Sequence, residues 1–374
     1  TVDLRLDIYQ PENDTLSGRP LIILAFGGSF TFGFRTSPDI VQLCNEFAAR
    51  GYVTASIDYR LGFENGNDSD TNQLKALFRG IQDLQAAIRF FYKDRQTDNN
   101  FRIDTTQIFI GGTSAGAFIS LNHAYYRETI FSNPPPPWVV PALNEIHWFD
   151  GNSGNPGYST KVKGVINLCG ALADTLWLQP GDPIIVSVHG TADDLVPYKY
   201  DSAQAAVSTE AKLYGSYDIH QRANHIGLAN SLKLFSGAGH APFIFPKDFT
   251  PAALAAVPLY MDTTIGVIRD FLYANIERKD LNTFALNTSG TDGEIDVYPN
   301  PAADFMWVEV ANLRVQKIQL SLTDILGREI MVSENNTGTK FLLRKSELGA
   351  GIFFLQTKPP SVSHLPRIRK IIFQ

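Results

Sequence analysis

Residues 108–121 read Ile108-Phe109-Ile110-Gly111-Gly112-Thr113-Ser114-Ala115-Gly116-Ala117-Phe118-Ile119-Ser120-Leu121. A short β-branched and aromatic run gives way to small residues and then to a helix-favouring stretch that continues to Tyr126. The pattern predicts a buried strand over 108–110, a tight glycine turn and a helix over 117–126. A serine flanked by glycines at such a turn is pushed out of the backbone, because larger neighbours do not fit the bend.

The same alternation extends in both directions. Short apolar runs predict strands over 2–9, 21–26, 52–58, 162–168, 183–188 and 232–235. Between them lie predicted helices over 37–50, opened by Ser37-Pro38 and stopped at Gly51, and over 71–94, with Leu74, Leu77, Ile81, Leu84, Ile88 and Phe91 on one face. A closing helix is predicted over 251–277. Strands alternating with helices imply an α/β domain with a mostly parallel sheet over residues 1–286. Periodicity is lost over 131–160, which holds four consecutive prolines and several Gly-Asn-Ser turns. Following the serine helix, this excursion is positioned to be a cap or lid, or a plain surface loop.

The polar stretch Asn287-Thr288-Ser289-Gly290-Thr291-Asp292-Gly293 has nothing to bury and reads as a linker. Beyond it, over 294–374, helical periodicity does not return. Runs at 305–310, 317–322, 329–332, 340–343, 352–356 and 368–373 predict a small antiparallel Ig-like β-sandwich. From composition alone, a carbohydrate-binding module is one possibility for that part.

The 374 residues have room for two such domains, and 44% of them are apolar. A formal net charge of −6, without a basic stripe, gives no support to a nucleic-acid or anionic-membrane partner. A neutral or weakly polar substrate fits better. No apolar run approaches the roughly 18 residues of a membrane span. The chain starts inside a predicted strand, so the expectation is that a leader has been removed. Cys44 and Cys169 are the only cysteines. Both fall in predicted buried elements and read as free thiols rather than as a disulfide.

A serine hydroxyl at neutral pH needs an imidazole to take its proton and a carboxylate to fix that imidazole's tautomer. After the predicted strand at 183–188 comes His189-Gly190-Thr191-Ala192-Asp193-Asp194-Leu195-Val196-Pro197, so the acid is Asp193 or its neighbour Asp194. After the last predicted strand comes Gly237-Ala238-Gly239-His240-Ala241-Pro242, which offers His240 as the base. The remaining histidines, His189 included, read as structural. For a developing oxyanion the candidate donors are the amide of Ala115 and the glycine loop Phe26-Gly27-Gly28-Ser29-Phe30, chiefly Gly28 and Ser29. Phe30, Phe32 and Phe34 are candidates to line an apolar or aromatic acyl pocket. No metal or organic cofactor is required by this chemistry.

Together these residues resemble the α/β-hydrolase carboxylesterases related to the hormone-sensitive-lipase and carboxylesterase groups. Phe26 to Phe30 is similar to the family's H-G-G-G-[FW], with Phe26 and Ser29 where the family usually has His and Gly. Asp58-Tyr59-Arg60-Leu61 is similar to D-Y-R-L, Gly112 to Gly116 to G-x-S-x-G, and His189 to Pro197 to H-G-T-x-D-x-x-V-P, which favours Asp193 as the acid. The resemblance implies an α/β-hydrolase fold and hydrolysis of a small-molecule or polymeric ester through an acyl-enzyme. A polyester or acetyl/feruloyl polysaccharide-ester hydrolase, a serine peptidase and a non-catalytic surface-binding protein are the other readings. Over 294–374 the chain resembles the type A sorting domain of Bacteroidota type IX secretion. Val297-Tyr298-Pro299-Asn300-Pro301, Asp324-Ile325-Leu326-Gly327-Arg328 and the stretch from Leu348 to Phe354 carry that resemblance. It implies engagement of the secretion machinery and release or display at the cell surface.

Overall fold

The computed structural model describes residues 3–11, 17–64, 69–127, 139–146, 149, 151, 154–202, 212–246, 248, 250–276, 294–298, 302–311, 318–324, 329–335, 340–358 and 367–373. The chain divides into two units, Thr1–Arg278 and Lys279–Gln374. The expected linker at 287–293 lies outside the described residues.

In chain order the first unit contains β1 (Leu6–Tyr9), β2 (Arg19–Ala25), α1 (Pro38–Ala48), β3 (Val53–Ile57), α2 (Asp70–Gln96), β4 (Ile103–Thr113), α3 (Ala115–Tyr125) and α4 (Val139–Glu145). It continues with β5 (Gly164–Leu168), β6 (Ile184–Gly190), a short pair β7 (Asp201–Ser202) and β8 (Lys212–Leu213), α5 (Ser216–His225), β9 (Asn230–Phe235) and α6 (Pro251–Asn275). Seven strands form one sheet in the order β1-β3-β2-β4-β5-β6-β9. All its pairings are parallel except β1 with β3.

Leu21 to Ala25 of β2 are completely buried, as expected of a central parallel strand covered by helices on both faces. The stripe Ile81, Leu84, Ile88 and Phe91 of α2 is buried in the same core. The chain builds outward from β2 to β3, then returns past β2 to β4 and continues to β9. That reversal places the topological switch point at the carboxyl ends of β2 and β4, the usual ligand position in an open α/β sheet.

Several elements differ from the sequence expectation. β4 begins at Ile103, earlier than expected, because the polar run Thr105-Thr106-Gln107 hides the strand's first half. α3 begins at Ala115, directly after Ser114 at its N-cap. α4 falls inside the stretch expected to lack regular structure; seven residues are too few to show a period. The described part of that stretch is fastened along α2. Lys75 forms an ion pair with Glu145. Gln82 Nε2 donates to the Ile146 carbonyl at 2.8 Å, and Arg89 Nε donates to the Gly154 carbonyl at 2.8 Å. Residues 131–138 lie outside the described residues.

By length and composition α6 is long and apolar enough to cross a membrane, although no uninterrupted apolar run is present. Its Ile265, Ile268 and Leu272 are buried in the sheet's core, the arrangement of a closing amphipathic helix.

The second unit contains β10 (Glu294–Tyr298), β11 (Phe305–Ala311), β12 (Ile318–Asp324), β13 (Glu329–Asn335), β14 (Lys340–Arg344), α7 (Lys345–Leu348), β15 (Gly351–Lys358) and β16 (Arg367–Phe373). They form antiparallel sheets in the orders β10-β11-β14 and β13-β12-β15-β16. Met306, Val308, Leu322, Leu343, Leu355, Ile371 and Phe373 make their common core. β10 was not expected, because the opening motif obscures it. Pro299 to Pro301 and Ile325 to Arg328 lie outside the described residues.

Candidate active site

Parallel pairing of β4, β5, β6 and β9 brings their carboxyl ends to one edge of the sheet. At the end of β4, Ser114 has φ 52° and ψ −115°, a conformation that costs an L-residue about 1–3 kcal/mol. The turn is held by a 2.8 Å hydrogen bond from the Ser114 amide to the Leu168 carbonyl at the end of β5. It also requires glycine on both sides. A Cβ on Gly112 would lie 2.1 Å from the Ala25 carbonyl oxygen, and one on Gly116 would lie 2.0 Å from the same atom.

Asp193 follows β6 and His240 follows β9. His240 Nδ1 donates to Asp193 Oδ2 at 2.7 Å. The Asp193 side chain is fully buried, and its Oδ1 accepts the amides of Leu195 at 3.0 Å and Val196 at 2.8 Å. Burial by itself would raise this carboxyl, but the hydrogen bonds it accepts from His189 and His240 hold it well below the usual carboxylate range. It therefore stays ionised at any pH where an imidazole works as a base. Asp194 is exposed beside it. The loop carrying His240 packs closely on β6, since a Cβ on Gly190 would lie 2.2 Å from the Gly239 carbonyl oxygen. No hydrogen bond joins Ser114 Oγ to His240 among the described residues; in unliganded sites this contact often tightens only when substrate arrives.

The loop after β2 approaches the serine directly, as a Cβ on Gly27 would lie 3.3 Å from the Ser114 Cβ. Gly28 has φ 127°, and Ser29 and Phe30 are left-handed at 49° and 62°. The loop closes on the Gly28 carbonyl, which accepts the amide of Thr31 at 2.9 Å. The amides of Gly28, Ser29 and Ala115 donate to no acceptor among the described residues, leaving them open to an oxyanion.

The Asp58-Tyr59-Arg60 stretch secures this loop. Asp58 pairs with Arg35 at 2.9 Å, and Arg60 pairs with Asp83 of α2 at 2.9 Å. Tyr59 stacks on Phe26 with ring centroids 4.4 Å apart and donates its hydroxyl to the Phe26 carbonyl at 3.0 Å. The aromatic pair thus anchors the start of the loop. Tyr59→Phe is expected to lower stability by about 1 kcal/mol and to lower kcat more than it raises KM. Thermal denaturation and steady-state kinetics of the variant would check both.

Phe30 packs edge-on against Tyr59 at 6.4 Å. Phe32 and Phe34 are 65% and 58% exposed, standing on the surface of the loop rather than lining an enclosed pocket. Periodicity cannot assign the direction of loop side chains, so their exposure is not legible in the spacing.

Cys44 and Cys169 are buried free thiols. Burial pushes the Cys44 thiol up to about 12, and pushes Cys169 far up too, so neither is a thiolate near neutrality. Ligand atoms of Cys169, His189 and Asp193 lie within 4.8 Å of one another. This set is a poor cation site: the thiol is protonated, and Asp193 Oδ2 already accepts from both imidazoles.

Sequence reasoning missed a buried polar group beneath Asp193. Asn167, Ser187, His189 and Ser216 are completely buried, and His220 nearly so. The signal was present as polar residues inside otherwise apolar strands, which must find partners when buried. Burial pushes His220 down to about 4, with its hydrogen bond to Asn230 opposing the shift. The unfolded chain therefore takes up a proton there that the folded chain does not. The stability contributed is complete above about pH 6.5 and is lost as pH falls toward 4, by about 3 kcal/mol. His220→Gln is expected to flatten this acid dependence, measured by denaturant unfolding across that range.

Residues 6–173 match the family model described as BD-FAE, and residues 296–373 match the model described as Secretion system C-terminal sorting domain. Gut esterase 1 of Caenorhabditis elegans is 29% identical over 114 residues, which are 30% of this chain and 19% of that protein. Gut esterase 1 of Caenorhabditis briggsae is 25% identical over 151 residues, 40% of this chain and 25% of that protein. The chain thus spans a quarter or less of the length of these curated relatives. Thermogutta terrifontis esterase 2 phosphorylated by paraoxon is similar with a TM-score of 0.50 at 21% identity, covering 73% of this chain and 89% of that one. The butyrate-bound esterase of the same Planctomycetes species gives 0.50 at 20%, covering 75% and 92%. These structures show the fold: the first unit has the α/β-hydrolase fold. The second is a type IX sorting domain, which marks the chain for secretion or the cell surface.

Proposed function

We infer that the chain is an extracellular serine carboxylesterase acting through an acyl-enzyme. The observation that carries this reading is the 2.7 Å hydrogen bond from His240 Nδ1 to Asp193 Oδ2, at the same sheet edge as the strained turn of Ser114. With Nδ1 donating to the carboxylate, Nε2 is the basic nitrogen. It removes the Ser114 proton as Oγ attacks the ester carbonyl, then returns the proton to the departing alkoxide. The amides of Gly28, Ser29 and Ala115 receive the oxyanion. Water then attacks the acyl-enzyme with His240 again as base, releasing the acid and restoring Ser114. The BD-FAE match and the esterase relatives support an ester over an amide.

Phe32 and Phe34 favour an acyl group or ester polymer that presents apolar surface of its own. A p-nitrophenyl ester series from acetyl to long acyl chains tests both parts. Hydrolysis that rises from acetyl to medium-chain or aryl esters is expected. Much faster turnover of acetyl esters would remove the apolar acyl preference. Turnover of amides alone would replace the esterase reading with a peptidase, and inertness toward a serine-reactive phosphonate would leave a binding protein.

A further inference from the structure

Two imidazoles, not one, meet the Asp193 carboxylate. Oδ2 accepts His240 Nδ1 at 2.7 Å and His189 Nε2 at 3.1 Å. His189 Nε2 also faces the Val196 carbonyl at 3.0 Å. A carboxylate oxygen and a carbonyl can only accept, so this nitrogen carries a proton.

The opposite side of the ring fixes its charge. His189 Nδ1 lies 2.8 Å from Ser216 Oγ. Asn167 Oδ1 accepts the Gly170 amide at 2.8 Å, which orients the Asn167 amide and makes its Nδ2 the donor to Ser216 Oγ and to Ser187 Oγ, both at 3.0 Å. Ser216, having accepted from Asn167, sends its own proton to His189 Nδ1. A cationic His189 would leave that hydroxyl proton without an acceptor among the described residues. The chain of bonds continues in the same sense. Ser187 donates to His220 Nε2 at 2.7 Å, and His220 Nδ1 donates to Asn230 Oδ1 at 2.7 Å. Asn230 is oriented in turn by its Nδ2, which donates to Asn224 Oδ1 and to the Leu228 carbonyl, both at 2.8 Å. Every proton in this buried series has one position, and the series ends on Asp193.

We propose that His189 is a positioning residue for the ester hydrolysis, a neutral Nε2–H donor locked by the Ser216–Asn167–Ser187–His220–Asn230 series. This rests on the reading of Asp193 as the acid of the triad. With two backbone amides on Oδ1 and two imidazoles on Oδ2, the carboxylate cannot rotate, and its charge is shared before His240 becomes cationic. The titratable groups facing it are His189 of β6, His240 after β9 and Cys169 after β5, the last a protonated thiol.

His189→Leu removes the donor, and His189→Gln keeps an amide N–H in its place. In the leucine variant kcat should fall by about 10- to 100-fold with KM little changed. The acid limb of the kcat profile should also move to higher pH by at least about half a unit, because an unshared carboxylate stabilises the His240 cation more strongly. His189→Gln should restore both. Equal losses in the two variants, or an unchanged acid limb in a folded leucine variant, would overturn the proposal. Should the leucine variant fail to fold, His189→Gln and Ser216→Ala carry the same comparison: the profile should stay near wild type in the first and shift in the second. Downfield proton NMR of the imidazole N–H groups gives a readout independent of turnover. The His240 Nδ1–H resonance should move in His189→Leu and hold in His189→Gln, and an unmoved resonance in both contradicts the proposal. If wild type hydrolysed no ester, the functional reading would fail while this spectrum still tested the geometry.

Discussion

Ser114→Ala is expected to lower kcat/KM for every hydrolysed ester by roughly 10⁴-fold or more, leaving only what the oxyanion donors and binding provide. The fold should survive. Alanine removes only the hydroxyl and keeps the Cβ that the turn already accommodates, and the Ser114 side chain has no hydrogen-bond partner among the described residues whose loss would cost stability. Equal secondary structure by circular dichroism, with the melting temperature within a few degrees, separates loss of chemistry from loss of structure. A second removal, Asp193→Asn, should be about as damaging to kcat, because His240 then loses the carboxylate that selects its tautomer.

Gly116→Val is expected to have the largest effect on folding. The Cβ position lies 2.0 Å from the carbonyl oxygen of Ala25 and 2.8 Å from that of Phe26. Both are backbone atoms: one ends the central strand, and the other begins the loop proposed to present the oxyanion donors. Neither can move without disturbing the β2–β4 edge. A loss of about 3 kcal/mol or more is expected, a fall in melting temperature of roughly 10 °C. Gly266→Ala is the control. It sits within α6 with nothing within 4 Å of its Cβ position, so alanine should be neutral or stabilise by up to about 1 kcal/mol.

Much of the sheet was legible because its strands are short apolar runs bounded by glycines, and the long stripe of α2 admits only one period. The pair Asp193 and His240 could be read from chain order, as each follows a strand whose end must reach the same edge. Asp193 could not be separated from Asp194 by pattern alone. In the structure they differ sharply: Asp193 carries the hydrogen bond from His240, and Asp194 faces solvent. The glycine loop after β2 could be singled out as the candidate for the oxyanion donors, but its support could not. The stacking of Phe26 on Tyr59 joins residues 33 positions apart, and no local spacing encodes it.

The series from His189 to Asn230 left only a faint signal, for a related reason. Asn167 and Ser187 interrupt apolar strands by single residues, which local pattern treats as noise. Only the register that pairs Asn167 with Ser187 brings the two together. The short helix α4 lay below the length at which a helical period can be distinguished.

Ser114 is proposed as the nucleophile, served by His240 and Asp193. The most direct test is covalent: treat the protein with a fluorophosphonate, measure the intact mass, and locate the adduct by peptide mass spectrometry. One phosphonyl group on Ser114, formed in step with loss of esterase activity and absent from Ser114→Ala, is the predicted result. An adduct on a different residue, or full esterase activity with Ser114 unlabelled, would contradict the account.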